Sequence, residues 1–353
     1  MEQRNYKKEE QSYRLRATSY QLIILILLTI TISSCDSTNK PEKDGFWKHI
    51  GGLPNTISIV FASNGDILSC SSLLIYLSTN NGDTWVETGR NYSDIKVINL
   101  SISGYLFAGT IFGLVRSTDG GKSWVQLNDK YISSILITAS GEIYFGERYW
   151  SLSRYYRGVY YSSDNGDTWI EKSNGLPDSI VVSSLVLGAD GTLYAGTANT
   201  YAGTATTGVY RSTDGGDTWL PPSNYIRAQI NDLTISDDGS IFAATDIIPG
   251  VLKSTDKGVT WDQVKVNTGF SVQSARAITY NPITRDIFVL FTNNQIYKSN
   301  DLGVNWDLIE DSGLANTYPT NAIIKINTLT VNPNTGQMYV ATNNGVYCSR
   351  NYP

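Results

Sequence analysis

The sequence is poor in the side chains on which most catalysis and metal binding depend. Its 353 residues include one histidine, three cysteines and two methionines. His49 is the sole imidazole and falls on the expected closing strand, which excludes a histidine-based metal cluster and leaves no convincing Ser/His/Asp triad. No Gly-rich phosphate loop leads into a helix, so no cofactor is implied. Charged residues make up only 17%, whereas aromatic residues reach 11% with 23 tyrosines, which is core material and not the composition of a disordered chain. After residue 45 there are no Ala-rich or Lys/Glu-rich helical periods. Tyr, Thr, Val and Ile are plentiful there, and they favour strands.

Long apolar runs are also missing, with one exception. QLIILILLTITI at 21–32 follows Arg4, Lys7, Lys8, Arg14 and Arg16. Twelve residues fall short of the roughly 20 that span a bilayer, and a basic start, a short apolar stretch and then small residues form an export signal. The stretch ends Ile32-Ser33-Ser34-Cys35, which resembles a bacterial lipobox. The expected organisation is a lipoprotein signal peptide over 1–34, acylation at Cys35, a polar tether over 35–45 and a folded domain over 46–353. Such a protein resides in the bacterial cell envelope and touches a membrane through its lipid alone. An uncut signal anchor is the alternative. Of the 32 acids and 27 bases, Glu2, Glu9, Glu10 and the five bases above leave with the signal. The remaining 29 and 22 give a net charge of −7, which disfavours nucleic acid and anionic membrane as partners.

What the sequence does have is one eight-residue phrase, six times over. It reads STNNGDTW at 78–85, STDGGKSW at 117–124, SSDNGDTW at 162–169, STDGGDTW at 212–219, STDKGVTW at 254–261 and SNDLGVNW at 299–306. The tryptophans lie 39 to 50 residues apart, a period that suggests propeller blades of four strands each. The interior of each period agrees. SSLVLGADGTLYAGT at 183–197 is two β-like runs around a Gly-containing turn, GVYRS at 208–212 is a third strand, and TWLPP after the box is a fourth. The third box residue (Asn80, Asp119, Asp164, Asp214, Asp256 and Asp301) can accept backbone N–H bonds, and the glycine two places on permits positive φ. The phrase therefore reads as a hairpin clasp and not as six active sites.

S-x-D-x-G-x-[TS]-W resembles the Asp-box, or bacterial neuraminidase repeat, of sialidases, sortilin-type receptors, xyloglucanases and photosystem-assembly propellers. The resemblance covers residues 46–353. Asn80 and Asn305 depart from the pattern, and their two turns are expected to be looser. GVYCSRN at 345–351 aligns with GVYRSTD, but no seventh tryptophan follows it. The missing strand lies at the other end, in Phe46-Trp47-Lys48-His49-Ile50. The expected fold is all-β, a seven-bladed β-propeller of four-stranded antiparallel blades closed by the N-terminal strand, which removes exposed sheet edges.

The turns between first and second strands are short and share a face with the boxes. Loops on the opposite face vary in length. Blade 3 contributes ERYWSLSRYYRG at 147–158, and blade 4 contributes TANTYAGTATTG at 197–208. Long loops on a rigid scaffold are common sites of function. Arg148, Tyr149, Trp150, Arg154, Tyr155, Tyr156, Arg157 and, from blade 4, Tyr201 are the candidate ligand contacts, because flat rings stack on sugars or peptide rings and guanidinium groups bind carboxylates bidentately. The alternative is that these rings only pack the loops down. The expected function is a binding or assembly module for a glycan or protein ligand. A glycoside hydrolase is the competing class, since two suitably spaced carboxylates could occur among the loops. Against it, the resemblance to sialidases would imply an arginine triad spread over several blades, and here the arginines cluster in one loop with no Arg-Ile-Pro start motif. Xyloglucanase-like enzymes place their cleft between two propellers, and one is legible here.

Cys70 and Cys348 align with opposite ends of their strands. About 13–17 Å should separate them, too far for a disulfide, so both are expected to be free thiols. The address generates a prediction. Cys35→Ala should abolish acylation and release a soluble exported protein, because each buried lipid methylene contributes about 0.8 kcal/mol of membrane affinity. Fractionation after detergent-free washing checks this, and retention of the variant in membranes would favour the signal anchor.

Overall fold

The computed structural model describes residues 46–51, 55–90, 94–148, 158–178, 180–199, 207–224, 228–247, 250–266, 274–309, 314 and 324–350. Among the described residues there is no helix. Six four-stranded antiparallel sheets and one of three strands follow in chain order as seven blades, and the first strands of successive blades pack on one another around the axis. Second strands such as Leu106–Thr110, Ile241–Thr245 and Ile287–Phe291 are buried along their whole length. Sandwiched between neighbouring blades, they read as continuous apolar runs and not as alternation. The core therefore lies between blades. Tyr144 of blade 3, for example, shares a cluster with Leu185, Tyr210 and Trp219 of blade 4.

Each box is a closed set of hydrogen bonds. In blade 2, Ser117 Oγ donates to Asp119 Oδ1 (2.8 Å) and accepts from Gly121 N (2.8 Å), while Ser123 donates to the same carboxylate from its N (2.9 Å) and Oγ (2.5 Å). These donors, the hydroxyl first and the backbone N–H next, hold Asp119 down at about 2, and Thr168 does the same for Asp164. The expected loosening at Asn80 and Asn305 does not occur. Asn80 Oδ1 accepts from Ser78 Oγ (3.0 Å) and Thr84 N (2.9 Å), and its amide donates to Thr84 Oγ1 (2.9 Å). Asn305 Nδ2 replaces the usual hydroxyl, 2.7 Å from Asp301 Oδ2. Either amide supplies the atom the clasp requires.

The box also joins blades. Gly82, Gly121 and Gly166 have φ near +90°, and a Cβ on them would come within 2.6–2.7 Å of Ile50, Thr88 and Leu127, which lie on or directly after the preceding blade's fourth strand. Charge follows the same path, with Arg116 Nη1 of blade 2 lying 2.8 Å from Asp167 in the box of blade 3. Blade 4 departs from four strands. After Trp219 a single bridge, Arg211 to Leu220, stands in for the fourth strand. Pro221 and Pro222 come next and have no N–H to continue the ladder.

A second stitch was not anticipated. The first strand of six blades carries a bulge, and in five of them the extra residue reaches the next blade. Ser133 Oγ donates to Val182 O (2.7 Å), Asn231 Nδ2 to Ala275 O (2.7 Å) and Asn327 Nδ2 to Thr56 O (2.7 Å), while Ser183 and Arg276 donate to Ile230 O and Ile326 O. Beside this ring Asp232 bridges three blades, accepting from Ser184 Oγ (3.3 Å), Leu233 N (2.9 Å) and Ile278 N (3.1 Å). Burial pushes its carboxyl up to about 6 in spite of those donors.

The ring closes as the sequence implies. Trp47–Gly51 pairs antiparallel with Gly345–Ser349 to complete blade 7, and Trp47 stands opposite Ser349, as Trp219 does next to Ser212. Trp47 and Trp219 are both fully buried. Ile50 O accepts the indole N–H of Trp85 (2.7 Å), so the closing strand also supports blade 1. His49 is structural, with Nε2 3.1 Å from Asn344 O and its ring tilted against Tyr347. Cys70 and Cys348 are free and buried.

Removing residues 46–52 should open blade 7 and strongly lower the melting temperature. A chain starting at Asn55 that melts like one starting at Asp36 would contradict the closure. Asp232 gives a pH effect of defined sign. Its folded value of about 6 lies above the ordinary 3.8, so the folded state keeps this proton to a higher pH than the unfolded chain does. The group's contribution is most favourable below pH 4 and is lost as pH rises through 6. Because Asp232 is partly accessible, the change is at most about 3 kcal/mol. Urea unfolding of wild type and Asp232→Asn across pH 4–7 should show their difference moving in this window, whereas a flat difference would contradict the assignment.

Candidate functional site at the open end of blade 3

The register of the blades singles out an acidic residue. Opposite the residue that precedes the bulge of strand one stands a threonine in four blades, in the pairs Ile95–Thr110, Val182–Thr197, Ile230–Thr245 and Ile326–Thr342, and a phenylalanine, Phe291, opposite Ala275 in blade 6. These hydroxyls close the second hairpin. Thr110 Oγ1 donates to Gly113 O (2.9 Å), Thr197 Oγ1 to Gly208 O (2.9 Å) and Thr342 Oγ1 to Gly345 O (2.8 Å). In blade 3 the same place, opposite Ile132, is held by Glu147. A carboxylate cannot donate that bond; at this place the backbone bond remains, with Glu147 N donating to Gly158 O (2.9 Å).

Glu147 is only 4% exposed. Lys130 Nζ lies 3.6 Å from its Oε2 and 4.3 Å from the ring centre of Tyr160. Burial raises the Glu147 carboxyl above its ordinary range, while Lys130 and a hydrogen bond from Tyr160 pull it back. Arg148, the next residue, is exposed, donates its N–H to Tyr131 O (2.8 Å) and places its guanidinium 5.7 Å from the Tyr131 ring centre. A guanidinium against a ring, one residue from a buried carboxylate, can pair with a carboxylate or rest against a planar group. Of the sequence candidates, Arg148 is the one described. Tyr149, Trp150, Arg154, Tyr155, Tyr156, Arg157 and Tyr201 lie outside the described residues. Sequence reasoning passed over Glu147, Lys130, Tyr131 and Tyr160. Aligning the five strand ends would have shown a glutamate among threonines.

A second feature lies on the box face. A polar depression of about 810 Å3 is lined by Lys48, Asn81, Asp83, Asn332, Gln337 and Arg350, among others. It occupies the place where blade 7 would carry a box, because there the hairpin is replaced by the two ends of the ring. Lys48 Nζ and Asp83 Oδ1 face each other across its rim at 3.6 Å.

No protein-family model matches the sequence, and no curated protein matches it. Solved structures do resemble the fold. A family 74 xyloglucanase from Xanthomonas campestris aligns with a TM-score of 0.66 at 15% identity over 86% of this chain and 53% of its own. A catalytically inactive histidine-to-alanine variant of virginiamycin B lyase from Staphylococcus aureus, with quinupristin, gives 0.62 at 15% identity, covering 86% of this chain and 98% of its own. YCF48 bound to D1 peptide gives 0.63 at 13% identity, covering 86% and 96%. The chain thus spans about half the length of the xyloglucanase and nearly all of the other two. At these identities the likeness is one of fold: this chain is a seven-bladed β-propeller.

Proposed function

We propose that this protein is an exported, lipid-anchored propeller that binds a glycan or protein ligand through the loops opposite its boxes, centred on blade 3. The observation that carries the reading is Glu147. A buried carboxylate with Lys130 stands where a threonine hydroxyl closes the same hairpin in three other blades, and it does so at the root of the loop richest in arginine and aromatic residues. A carboxylate and a lysine at the root of a loop rich in arginine and aromatic residues fit a contact surface. A peptide-bound propeller of nearly the same span supports a role in binding protein segments. The competing reading, a glycoside hydrolase, draws on the xyloglucanase likeness, but this chain spans only 53% of that enzyme.

Screening the acylated chain against a glycan array and a peptide library, with a parallel assay for polysaccharide hydrolysis, separates the two readings. Glu147→Thr should convert blade 3 to the arrangement of blade 2, with stability within about 1–2 kcal/mol of wild type and with binding reduced. Arg148→Ala and Trp150→Ala should reduce binding in the same way. Undiminished binding by all three variants would move the site off blade 3, and substrate turnover would replace the binding reading with the hydrolase.

A further inference from the structure

The strand directions fix which face of the propeller the N-terminal segment leaves from. Trp47 stands opposite Ser349, the last residue of its partner strand, and Phe46 O accepts from Arg350 N at 2.9 Å. That end of the third strand is where the other blades make their boxes. Both ends of the ring therefore emerge together on the box face of blade 7, one strand length from the variable loops.

From this we infer that the variable face looks away from the surface to which residues before Phe46 attach, so its ligand arrives from the aqueous side. The inference rests on the reading that the N-terminal segment ties the chain to a membrane, and it holds for an acylated Cys35 and an uncut anchor alike. Reach decides it. Ten residues, 36–45, can reach at most about 33–36 Å. To bring the variable loops to the lipid, the chain would first have to climb the outer edge of blade 7. A five-residue strand alone is about 17 Å, with turns to add at both ends. That climb alone takes about half of the greatest reach. The box face is accordingly the near side. It carries the box aspartates, and an anionic surface repels it rather than holding it flat. A lipid headgroup, or a protein lying on the same membrane, meets the boxes first. A glycan or protein that is soluble, or presented by a facing surface, meets the variable loops.

Blade 2 offers a matched pair of reporters. Ile102, in the turn on the box face, is 79% exposed, and Phe112, in the turn on the variable face, is 58% exposed. Ile102→Cys and Phe112→Cys can each carry a fluorescent donor while Cys70 and Cys348 stay buried. The acylated chain is placed in vesicles bearing a headgroup acceptor dye, and energy transfer is read for each label. Loss of donor emission should be several-fold greater at Ile102. Equal transfer, or greater transfer at Phe112, would overturn the inference. A parallel arm replaces residues 1–35 by a hexahistidine tag on nickel-chelating vesicles and forces attachment through the same end. If the natural chain fails to sediment with vesicles while the tagged chain keeps the Ile102 preference, the anchor reading fails and the orientation stands. Loss of the preference in the tagged chain overturns the orientation itself.

Discussion

The close approach of each box glycine to the blade before it is the constraint on which the rest of the ring depends. Gly82, Gly121 and Gly166 carry no Cβ because Ile50, Thr88 and Leu127 occupy that space. Their positive φ is reached only because a serine and an aspartate or asparagine hold the turn rigid from within. A loosened turn would withdraw the glycine and, with it, the preceding blade's outer strand. The six phrases are thus both hairpin clasps and inter-blade contacts, and the second role explains why their spacing stays in step with the blades.

Much of this was legible in the sequence because it is local. The box, the short strands around Gly turns and the tryptophan period each fall within about 45 residues, and the seventh strand was found by asking where the missing tryptophan had gone. What escaped depends on partners one blade away. Ser133 and Asn231 look like ordinary polar residues in strands until the bulge aims them at Val182 O and Ala275 O. Asp232 gives no sign that its partners are Ser184 and Ile278. The three-stranded fourth blade was readable and was passed over, since Pro221 and Pro222 directly follow the tryptophan.

The candidate site divides the same way. Composition marked the loop that begins at Arg148, because arginines and rings are visible as letters. Glu147 is conspicuous only against its counterparts in register, and Lys130 only once strand one is laid beside strand two. The site draws its logic from an acidic departure at a position where four blades carry threonine. A fold made of near-identical blades makes such departures easy to find, because each position has six internal references.

The closing strand also sets an order of events. Trp47 is among the first residues of the domain to leave the ribosome, whereas Ser349 is among the last. Their pairing spans nearly the whole domain, so loop-closure entropy makes it the slowest contact to form. Until it forms, blade 7 lacks its outer strand and blade 1 lacks the support of Ile50. The newly made chain therefore passes through a stage with an unpaired edge at Gly345–Ser349 and an unpaired Trp47–Gly51 strand. Two such chains side by side could exchange that strand. An N-terminus held at a membrane, which keeps Trp47–Gly51 close to its own blade 7 and raises its local concentration there, would favour closure within the chain over exchange between chains.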